Sequence, residues 1–286
     1  MRKINENSKV AIVTGCSSGI GYETSLLLAK SGFYTYATTR DLSKSKSLAK
    51  KTEENNLSLE IRKLDITDET SIHNVIEEIQ NNHKRIDVLV NNAGYGLVGS
   101  LEDLSINDFF DQFNTNFFGS IRMMKKIIPL MRSRKKGILV NISSITGRIG
   151  FPLTSAYASS KFALEGLCES LFYELENFGI KVILIEPGLV KTNFVNNIKI
   201  PQNIFSNPDL SAYNEITTKR IKSFGPRLEN GINPFEVAKV IVDAILSSNP
   251  KFRYVVGDDA INLIEKKNSA SETEFKKFVL DNVINK

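Results

Sequence analysis

Short apolar segments rich in Val and Ile alternate along the chain with longer segments in which apolar residues recur at helical spacing. The short segments, which predict strands, are residues 10–14, 34–38, 57–64, 88–91, 138–142, 181–185 and 253–256. The longer segments, which predict helices, are residues 19–31, 43–55, 68–82, 106–131, 155–177 and 234–247. This alternation is typical of a parallel sheet between two helical layers. The pattern therefore predicts an α/β fold, a doubly wound parallel sheet of about seven strands with helices on both faces.

The alternation predicts a single domain over residues 1–286. Residues 189–231 interrupt it, because they contain three prolines and lack strong periodicity. A long irregular stretch in a compact domain is typical of a lid or binding loop, or of a partly disordered segment. Apolar residues such as Phe194 and Phe205 favour a substrate lid. Residues 260–286 predict a helical extension at the C-terminus.

The composition agrees with a globular protein, since 41% of the residues are hydrophobic, 24% are charged and the mean hydropathy is −0.15. No apolar run approaches the length of a membrane span, and residues 1–9 are polar and lack the apolar core of a signal peptide. We therefore expect no transmembrane segment and a cytoplasmic protein.

Charge and cysteine usage exclude two further classes of partner. The net charge is +5, but the basic residues form short scattered groups that are not interleaved with aromatic residues, so we expect no nucleic-acid binding. The two cysteines, Cys16 and Cys168, lie in unrelated segments and form no metal-ligand pattern. We expect no metal.

Tyr157 and Lys161 lie four residues apart at the start of a predicted helix, so their side chains leave the same face. An ammonium beside a phenol stabilises the phenolate and allows proton exchange nearer neutral pH. The pair suits general acid–base catalysis, although a half-buried Tyr beside a surface Lys gives the same spacing.

A glycine-rich turn follows the first predicted strand and opens into the first helix. Glycines there permit a tight turn and close approach of the backbone to a phosphate, while the helix N-terminus presents amides to negative charge. The predicted cofactor contacts of this turn are Gly15, Ser17, Ser18, Gly19, Ile20 and Gly21.

The turn, the Tyr157–Lys161 pair and the sequence Asn91-Asn92-Ala93-Gly94 occur in the order and spacing of the short-chain dehydrogenase/reductase family, which the chain resembles from about residue 10 to residue 194. The resemblance implies a Rossmann-type fold and an NAD(P)-dependent enzyme that acts on CH–OH groups. It also implies a homodimer or homotetramer, formed through the helices after the fourth and fifth strands.

The resemblance implies four catalytic residues. Tyr157 would be the general acid in reduction and the base in oxidation, and Lys161 would bind the nicotinamide ribose and lower the Tyr157 pKa. Ser144 would polarise the substrate oxygen; it is preferred to Ser143 because the family's serine lies thirteen positions before the tyrosine. Asn116, in an Asn-x-x-Gly context, would hold a water molecule that links Lys161 to solvent.

The choice of cofactor depends on the end of the second strand, where an acidic residue would bind the adenosine ribose and repel a 2′-phosphate. Thr39 occupies that position, and Arg40 supplies a guanidinium suited to phosphate. Asp41 either serves as the ribose acid, neutralises Arg40 or caps the next helix. We therefore expect NADP(H), with NAD(H) as the alternative.

Further cofactor contacts are implied at the ends of the third, fourth and sixth strands. They are Asp65, Ile66, Asn92, Ala93, Gly94, Pro187, Gly188, Val190 and Thr192. An Asp after a strand, or a Pro-Gly pair, is equally compatible with an ordinary turn.

Residues 157–172 and 253–260 look like the family branch that contains 17β-hydroxysteroid and retinol dehydrogenases. That branch implies a bulky, apolar carbonyl or alcohol substrate of steroid, retinoid or lipid-like character. One alternative is a 3-oxoacyl thioester reductase whose acidic carrier meets basic residues near the lid. Another is a non-catalytic NADP(H)-sensing regulator, which would be expected to lose one of the four catalytic residues.

Overall fold

Parallel strands form one sheet at the centre of the protein. The computed structural model describes residues 8–192, 198–200 and 211–284. Over these residues the sheet has seven strands in the order β3-β2-β1-β4-β5-β6-β7, and every neighbouring pair is parallel. The strands are β1 Val10–Val13, β2 Tyr34–Thr39, β3 Leu59–Lys63, β4 Val88–Asn91, β5 Gly137–Ile142, β6 Ile180–Pro187 and β7 Arg253–Val256. The predicted fold class is confirmed.

Helices cover both faces of the sheet. The α-helices of the described residues are α1 Gly19–Lys30, α2 Lys46–Glu54, α3 Glu69–His83, α4 Ile106–Phe113, α5 Gly119–Ser133, α6 Ser155–Glu174, α7 Asn214–Glu229, α8 Pro234–Leu246, α9 Asp258–Ser269 and α10 Glu272–Val279. One apolar cluster joins the sheet to α3, α5 and α6, and a second joins it to α1, α2 and α8. Strands buried on both faces read as continuous apolar runs, which explains the sequence pattern.

The strand order reverses between β1 and β4, which lie side by side at the centre of the sheet. The chain after β1 moves outward to β2 and β3, and then returns to β4 on the other side of β1. Segments that leave the carboxyl ends of β1 and β4 therefore diverge and leave a crevice between them.

The secondary structure differs from the sequence prediction in two stretches. The helix predicted over residues 106–131 is interrupted by a π-helical segment, Asn114–Phe118, between α4 and α5. Residues 214–229, part of the stretch predicted to be irregular, form α7. Gly225 and Pro226 argue against a helix there, yet the structure contains one, which packs against the segment Leu280–Ile284.

The last described residues pack beside the carboxyl end of the sheet. Residues 258–284 form α9, α10 and the π-helical segment Leu280–Ile284. Ala260 of α9 is buried together with Ile145 and Ile149, which follow β5. Among the described residues, no helix is long and apolar enough to cross a membrane.

Candidate active site

A cavity of about 990 Å³ lies at the carboxyl ends of β1, β2, β4, β5 and β6, in the crevice where the strand order reverses. Nearly all the residues predicted from the sequence to bind or react lie on its wall. They are Gly15, Ser17, Ser18, Gly19, Ile20, Arg40, Asp65, Ile66, Asn92, Ala93, Gly94, Asn116, Ser144, Tyr157, Lys161, Pro187, Gly188, Val190 and Thr192. The fold thus brings together residues that are up to 177 positions apart, from Gly15 to Thr192.

Gly21 does not lie on this wall and instead packs behind it. A Cβ atom at Gly21 would lie 2.4 Å from Asn92 Nδ2 and 2.6 Å from the Gly15 carbonyl oxygen. Gly21 therefore allows α1 to pack against the turn, and its prediction as a direct cofactor contact is not supported by its position.

The glycine turn is held in a shape that only glycine adopts easily. Gly15 and Gly19 have φ angles of +73° and +65°, and a Cβ at Gly15 would lie 2.8 Å from Ala93 Cα. Ser18, the N-cap residue of α1, makes no side-chain cap bond, so the first amides of this helix keep their donors. A tight turn below uncapped helix amides fits a pyrophosphate.

Thr14 and Asn92 brace this turn from two adjacent strands. Thr14 Oγ1 accepts hydrogen bonds from the backbone N–H groups of Asn92 and Ala93, both at 3.0 Å. Asn92 Nδ2 donates to the carbonyl oxygens of Thr14 at 2.8 Å and Gly15 at 3.0 Å. Asn92 therefore also supports the turn, and Thr14 is a supporting residue that the sequence reasoning did not assign.

Asn116 lies in the π-helical segment and is 2% exposed. Its Oδ1 accepts from the Tyr95 backbone N–H at 3.1 Å, and its Nδ2 donates to the Tyr95 carbonyl oxygen at 2.9 Å. π-helical turns recur at functional sites because they shift the side chains that follow them. Asn116 thus fixes the loop after β4, and Tyr95, which lines the cavity, was missed from the sequence.

The two adjacent serines after β5 have different surroundings. Ser144 Oγ accepts from the Thr146 N–H at 3.1 Å and is hydrogen-bonded to the Tyr157 phenol. Ser143 Oγ faces Gly147, where a Cβ atom would lie 2.7 Å away, and has no hydrogen-bond partner among the described residues. The geometry therefore pairs Ser144, rather than Ser143, with Tyr157.

Tyr157 and Lys161 lie in the first two turns of α6. Lys161 is 7% exposed, its Nζ donates to the Ile142 carbonyl oxygen at 2.8 Å, and Nζ lies 5.8 Å from the centre of the Tyr157 ring. Burial lowers the pKa of Lys161 to about 8, whereas the Glu165 carboxylate raises it. The pKa of Lys161 therefore lies close to the pH range in which most enzymes work.

The predicted lowering of the Tyr157 pKa does not hold for the chain alone. Burial raises the pKa of Tyr157 to about 12, and only the hydrogen bond from Ser144 acts in the opposite direction. The reason is desolvation of the phenolate, together with the position of the Lys161 ammonium, which donates to Ile142.

At the end of β2 the described side chains suit binding of a phosphate group, and no carboxylate among them is placed to bind a ribose. Arg40 is exposed on the wall of the cavity together with Lys44. Asp41 Oδ1 accepts from the backbone N–H and the hydroxyl of Ser43, so this carboxylate caps the next helical turn. Of the three roles considered for Asp41, the structure supports capping.

Asp65 also forms a turn, because its Oδ1 accepts from the backbone N–H of Thr67 at 2.9 Å and from the Thr67 hydroxyl at 2.7 Å. These hydrogen bonds and Arg40 lower the pKa of Asp65 against the effect of its partial burial. Asp65 is therefore both a turn residue and a charged group on the cavity wall.

The segment after β6 is positioned by Asp259 of α9. Asp259 Oδ2 accepts from the Leu189 backbone N–H at 2.8 Å, and a Cβ at Gly188 would lie 2.2 Å from Asp259 Oδ1. Only glycine at position 188 leaves room for this carboxylate. The pairing of Asp259 with Leu189 could not be recognised locally, since the two residues lie 70 positions apart.

Apolar side chains also line the cavity, among them Leu97, Phe151 and Ile200. Lys199 pairs with the segment after β4: its backbone N–H donates to the Gly96 carbonyl oxygen at 2.8 Å, and its carbonyl oxygen accepts from the Val98 N–H at 3.0 Å. Lys199 Nζ lies 4.7 Å from the centre of the Tyr95 ring. Phe194 and Phe205, cited for the lid, lie outside the described residues.

The order of the strands and the crevice at their reversal define a Rossmann-type α/β protein, a class whose members bind nucleotides at that point. Ser144, Tyr157 and Lys161 on the cavity wall add proton-transfer groups to this class. The chain belongs to the short-chain dehydrogenase family, because its residues 9–203 match the family model for short chain dehydrogenase. The family predicted from the sequence is confirmed.

Similar proteins extend this result over most of the chain. The 3-ketodihydrosphingosine reductase of Bacteroides thetaiotaomicron is 35% identical over 249 residues, which cover 87% of this chain and 88% of that protein. Retinol dehydrogenase 8 of Homo sapiens is 38% identical over 260 residues, which cover 86% of this chain and 80% of that protein. The crystal structure of a variant of actinorhodin polyketide ketoreductase with NADPH has a TM-score of 0.76 and 27% identity, and covers 90% of this chain and 98% of that one.

Proposed function

We propose that this chain is an NADP(H)-dependent oxidoreductase that interconverts a ketone or aldehyde and the corresponding alcohol. The observation that carries the proposal is the meeting of Ser144, Tyr157 and Lys161 on the wall of the same cavity as the glycine turn. The first two residues hold exchangeable protons beside the space for a substrate oxygen, and the third supplies a cation.

A bound nicotinamide would donate a hydride to the carbonyl carbon in reduction and would accept one from the alcohol carbon in oxidation. Tyr157 donates the proton of its hydroxyl to the carbonyl oxygen in reduction and takes it back in oxidation. Ser144 is oriented to donate, because its oxygen already accepts from Thr146. The Lys161 ammonium lies 5.8 Å from the centre of the Tyr157 ring and would favour the phenolate through its positive charge once it turns from the Ile142 carbonyl oxygen toward the phenol. The glycine turn and the amides of α1 would hold the pyrophosphate.

NADP(H) is favoured over NAD(H) by charge. Arg40 and Lys44 line the adenosine end of the cavity, and a guanidinium binds phosphate with two parallel hydrogen bonds. Asp41 is engaged by Ser43, so its carboxylate is not oriented toward a ribose. The NADPH complex of the similar polyketide ketoreductase agrees with this choice.

The substrate that we propose is bulky and apolar, of steroid, retinoid or lipid-like character. Leu97, Phe151 and Ile200 offer apolar surface in the same cavity as Tyr157, and apolar walls with few polar groups are typical of sites for such ligands. The names of the similar proteins, a retinol dehydrogenase and a 3-ketodihydrosphingosine reductase, point to the same chemical class.

The test is replacement of Tyr157 by Phe, followed by turnover of a panel of ketones, aldehydes and alcohols with each nicotinamide cofactor. We expect kcat to fall about 10² to 10⁴-fold, the range for loss of a general acid, while fluorescence titration shows NADPH binding largely intact. Tyr173→Phe is the matched control, since Tyr173 lies on the same helix and is 64% exposed. Near-normal turnover of Tyr157→Phe would refute the assignment.

A 3-oxoacyl thioester reductase is the second candidate, because Lys199 and Arg220 line the cavity and would suit an acidic carrier. Including a carrier-linked 3-oxoacyl substrate in the same panel separates the two. Faster turnover of the carrier-linked substrate than of every free ketone favours the second candidate.

A further inference from the structure

A group of buried charges lies behind Lys161, in three elements of the fold. Glu165 lies one helical turn beyond Lys161 on α6 and is 5% exposed. Glu186 of β6 is 0% exposed, directly before the Pro-Gly turn on the cavity wall. Carboxylates are rarely buried to this extent unless they are paired or hydrogen-bonded, so these two call for an explanation.

Arg253 of β7 holds both carboxylates. Its Nε lies 3.1 Å from Glu165 Oε2 and 3.2 Å from Glu186 Oε1, and its Nη2 donates to the exposed Glu169 at 2.6 Å. Arg148 approaches Glu186 Oε1 from the other side at 3.3 Å. One N–H group of Arg253 thus faces two buried carboxylates, which brings their negative charges close together.

The position of Glu165 is costly for the fold. Burial first, and the Glu165 carboxylate second, raise the pKa of Glu186 to about 7, whereas Arg148 and Arg253 lower it. Glu165 Oε1 has no hydrogen-bond partner among the described residues. An ion cluster that served only stability would be expected to satisfy this oxygen.

Gly147 helps to hold Glu165 beside Lys161. A Cβ at Gly147 would lie 3.1 Å from Glu165 Cγ and 3.3 Å from the Lys161 carbonyl oxygen. The side chain of Glu165 is therefore confined between the turn after β5 and its own helix, and its charge acts on the ammonium of Lys161.

Glu165 is the anion that faces Lys161 among the described residues. The other titratable groups that face Lys161 are Cys168 and Tyr157. Burial raises the pKa of both, so the thiol and the phenol are neutral near pH 7. Arg253 pairs with Glu165 and Glu186, and Arg148 pairs with Glu186.

We propose that Glu165 is a positioning residue for the reaction: its buried carboxylate, held by Arg253, keeps the neighbouring Lys161 ammonium charged at the pH at which the protein works. The catalytic role of Glu165 rests on the proposed function, since the charge of Lys161 affects the reaction only if Tyr157 exchanges protons. Its physical content, the proton affinity of Lys161, does not depend on any activity.

The experiment compares Glu165→Gln with Glu169→Gln. Both variants remove one carboxylate from Arg253 and keep the shape of the side chain, but Glu169 is exposed and does not face Lys161. The protein is labelled with ¹³Cε-lysine, the Lys161 signal is assigned from its loss in Lys161→Arg, and its titration is followed by NMR without cofactor. The alkaline limb of the kcat/KM profile with NADPH and the best carbonyl substrate is the second readout.

We expect the proton affinity of Lys161 to fall about tenfold or more in Glu165→Gln, and the alkaline limb to move to lower pH with it. Glu169→Gln should change neither by more than about twofold. Glu165→Asp withdraws the same charge by one methylene, so its effect should be smaller but measurable, about twofold. This variant decides the question if Glu165→Gln does not fold.

The proposal would be overturned if the Lys161 titration were unchanged in whichever Glu165 variant folds. It would also be overturned if the proton affinity of Lys161 fell as much in Glu169→Gln as in Glu165→Gln. If the protein turned over no carbonyl or alcohol, the NMR titration would still decide the role of Glu165. Failure of the proposed function and failure of this inference are therefore distinguishable.

Discussion

Replacing Lys161 by Met should stabilise the protein at neutral pH and destabilise it at high pH. Burial lowers the pKa of Lys161 from 10.5 to about 8, so the folded protein binds the proton more weakly than the unfolded chain. At about 1.4 kcal/mol for each tenfold change in proton affinity, the buried charge costs about 3 kcal/mol below pH 8. The substitution also removes the hydrogen bond to the Ile142 carbonyl oxygen, worth about 1 kcal/mol. The net gain at pH 7 is about 2 kcal/mol.

The pH dependence follows from the direction of the shift. Between pH 8 and 10.5 the unfolded chain binds more protons at this position than the folded protein, so the stability of the unmodified protein rises with pH across that window. The cost of the charge therefore disappears toward pH 10.5, and only the lost hydrogen bond remains. The two stability curves should cross between about pH 9 and 10.

Urea unfolding of both proteins at several pH values between 7 and 10 measures this difference. Lys50→Met is the matched control, because the Lys50 side chain is 76% exposed and its substitution should give a small difference that is independent of pH. A Lys161→Met protein that is less stable at pH 7, or a stability difference that does not change with pH, would refute the reasoning.

Two further predictions concern opposite ends of the sheet. Arg40→Gln should raise KM for NADPH about tenfold or more and leave KM for NADH nearly unchanged, because it removes a charge-assisted bond to phosphate; steady-state kinetics with both cofactors checks this. Asp87→Asn should cost about 3 kcal/mol of stability without changing kcat, because the buried Asp87 carboxylate accepts from Val10 N–H at 2.8 Å and pairs with Arg85 and Arg134. These bonds lower the pKa of Asp87 despite burial, so urea unfolding should show this difference above about pH 4 and its loss at lower pH.

Much of the sheet, and the placement of Tyr157 and Lys161 on one wall of the cavity, could be predicted because their signals are local. All four residues of β1 are buried, so the strand appears as a continuous apolar run. Tyr157 and Lys161 face the same way because they are separated by about one helical turn, and the glycine turn follows β1 directly. Each of these features can be recognised within a few residues of sequence.

Features that depend on distant partners could not be predicted. The π-helical segment places Asn116 against the Tyr95 backbone, 21 residues away, while the apolar pattern of residues 106–131 continues without a break. Gly21 looks like a nucleotide contact by its spacing, but its neighbours are Asn92 and Gly15. Asp259 and Arg253 act on the site from the far end of the chain, and their contacts with Leu189 and Glu165 cannot be recognised within a few residues of sequence.

The stability of the fold favours a neutral Lys161, whereas the proposed reaction needs a charged one. The Glu165 carboxylate raises the pKa of Lys161 and so favours the charged form. A neutral, buried Lys161 would cost the fold less, but it would not stabilise a phenolate at Tyr157. Coupling between two sites is reciprocal, so the carboxylate that favours the ammonium is itself favoured by it. Part of the cost falls on Glu186 of β6, because burial and the Glu165 carboxylate raise its pKa to about 7. The Glu186 side chain does not line the cavity. A buried charge is thus kept where the proposed reaction needs it, and its cost falls on a group that the reaction does not use.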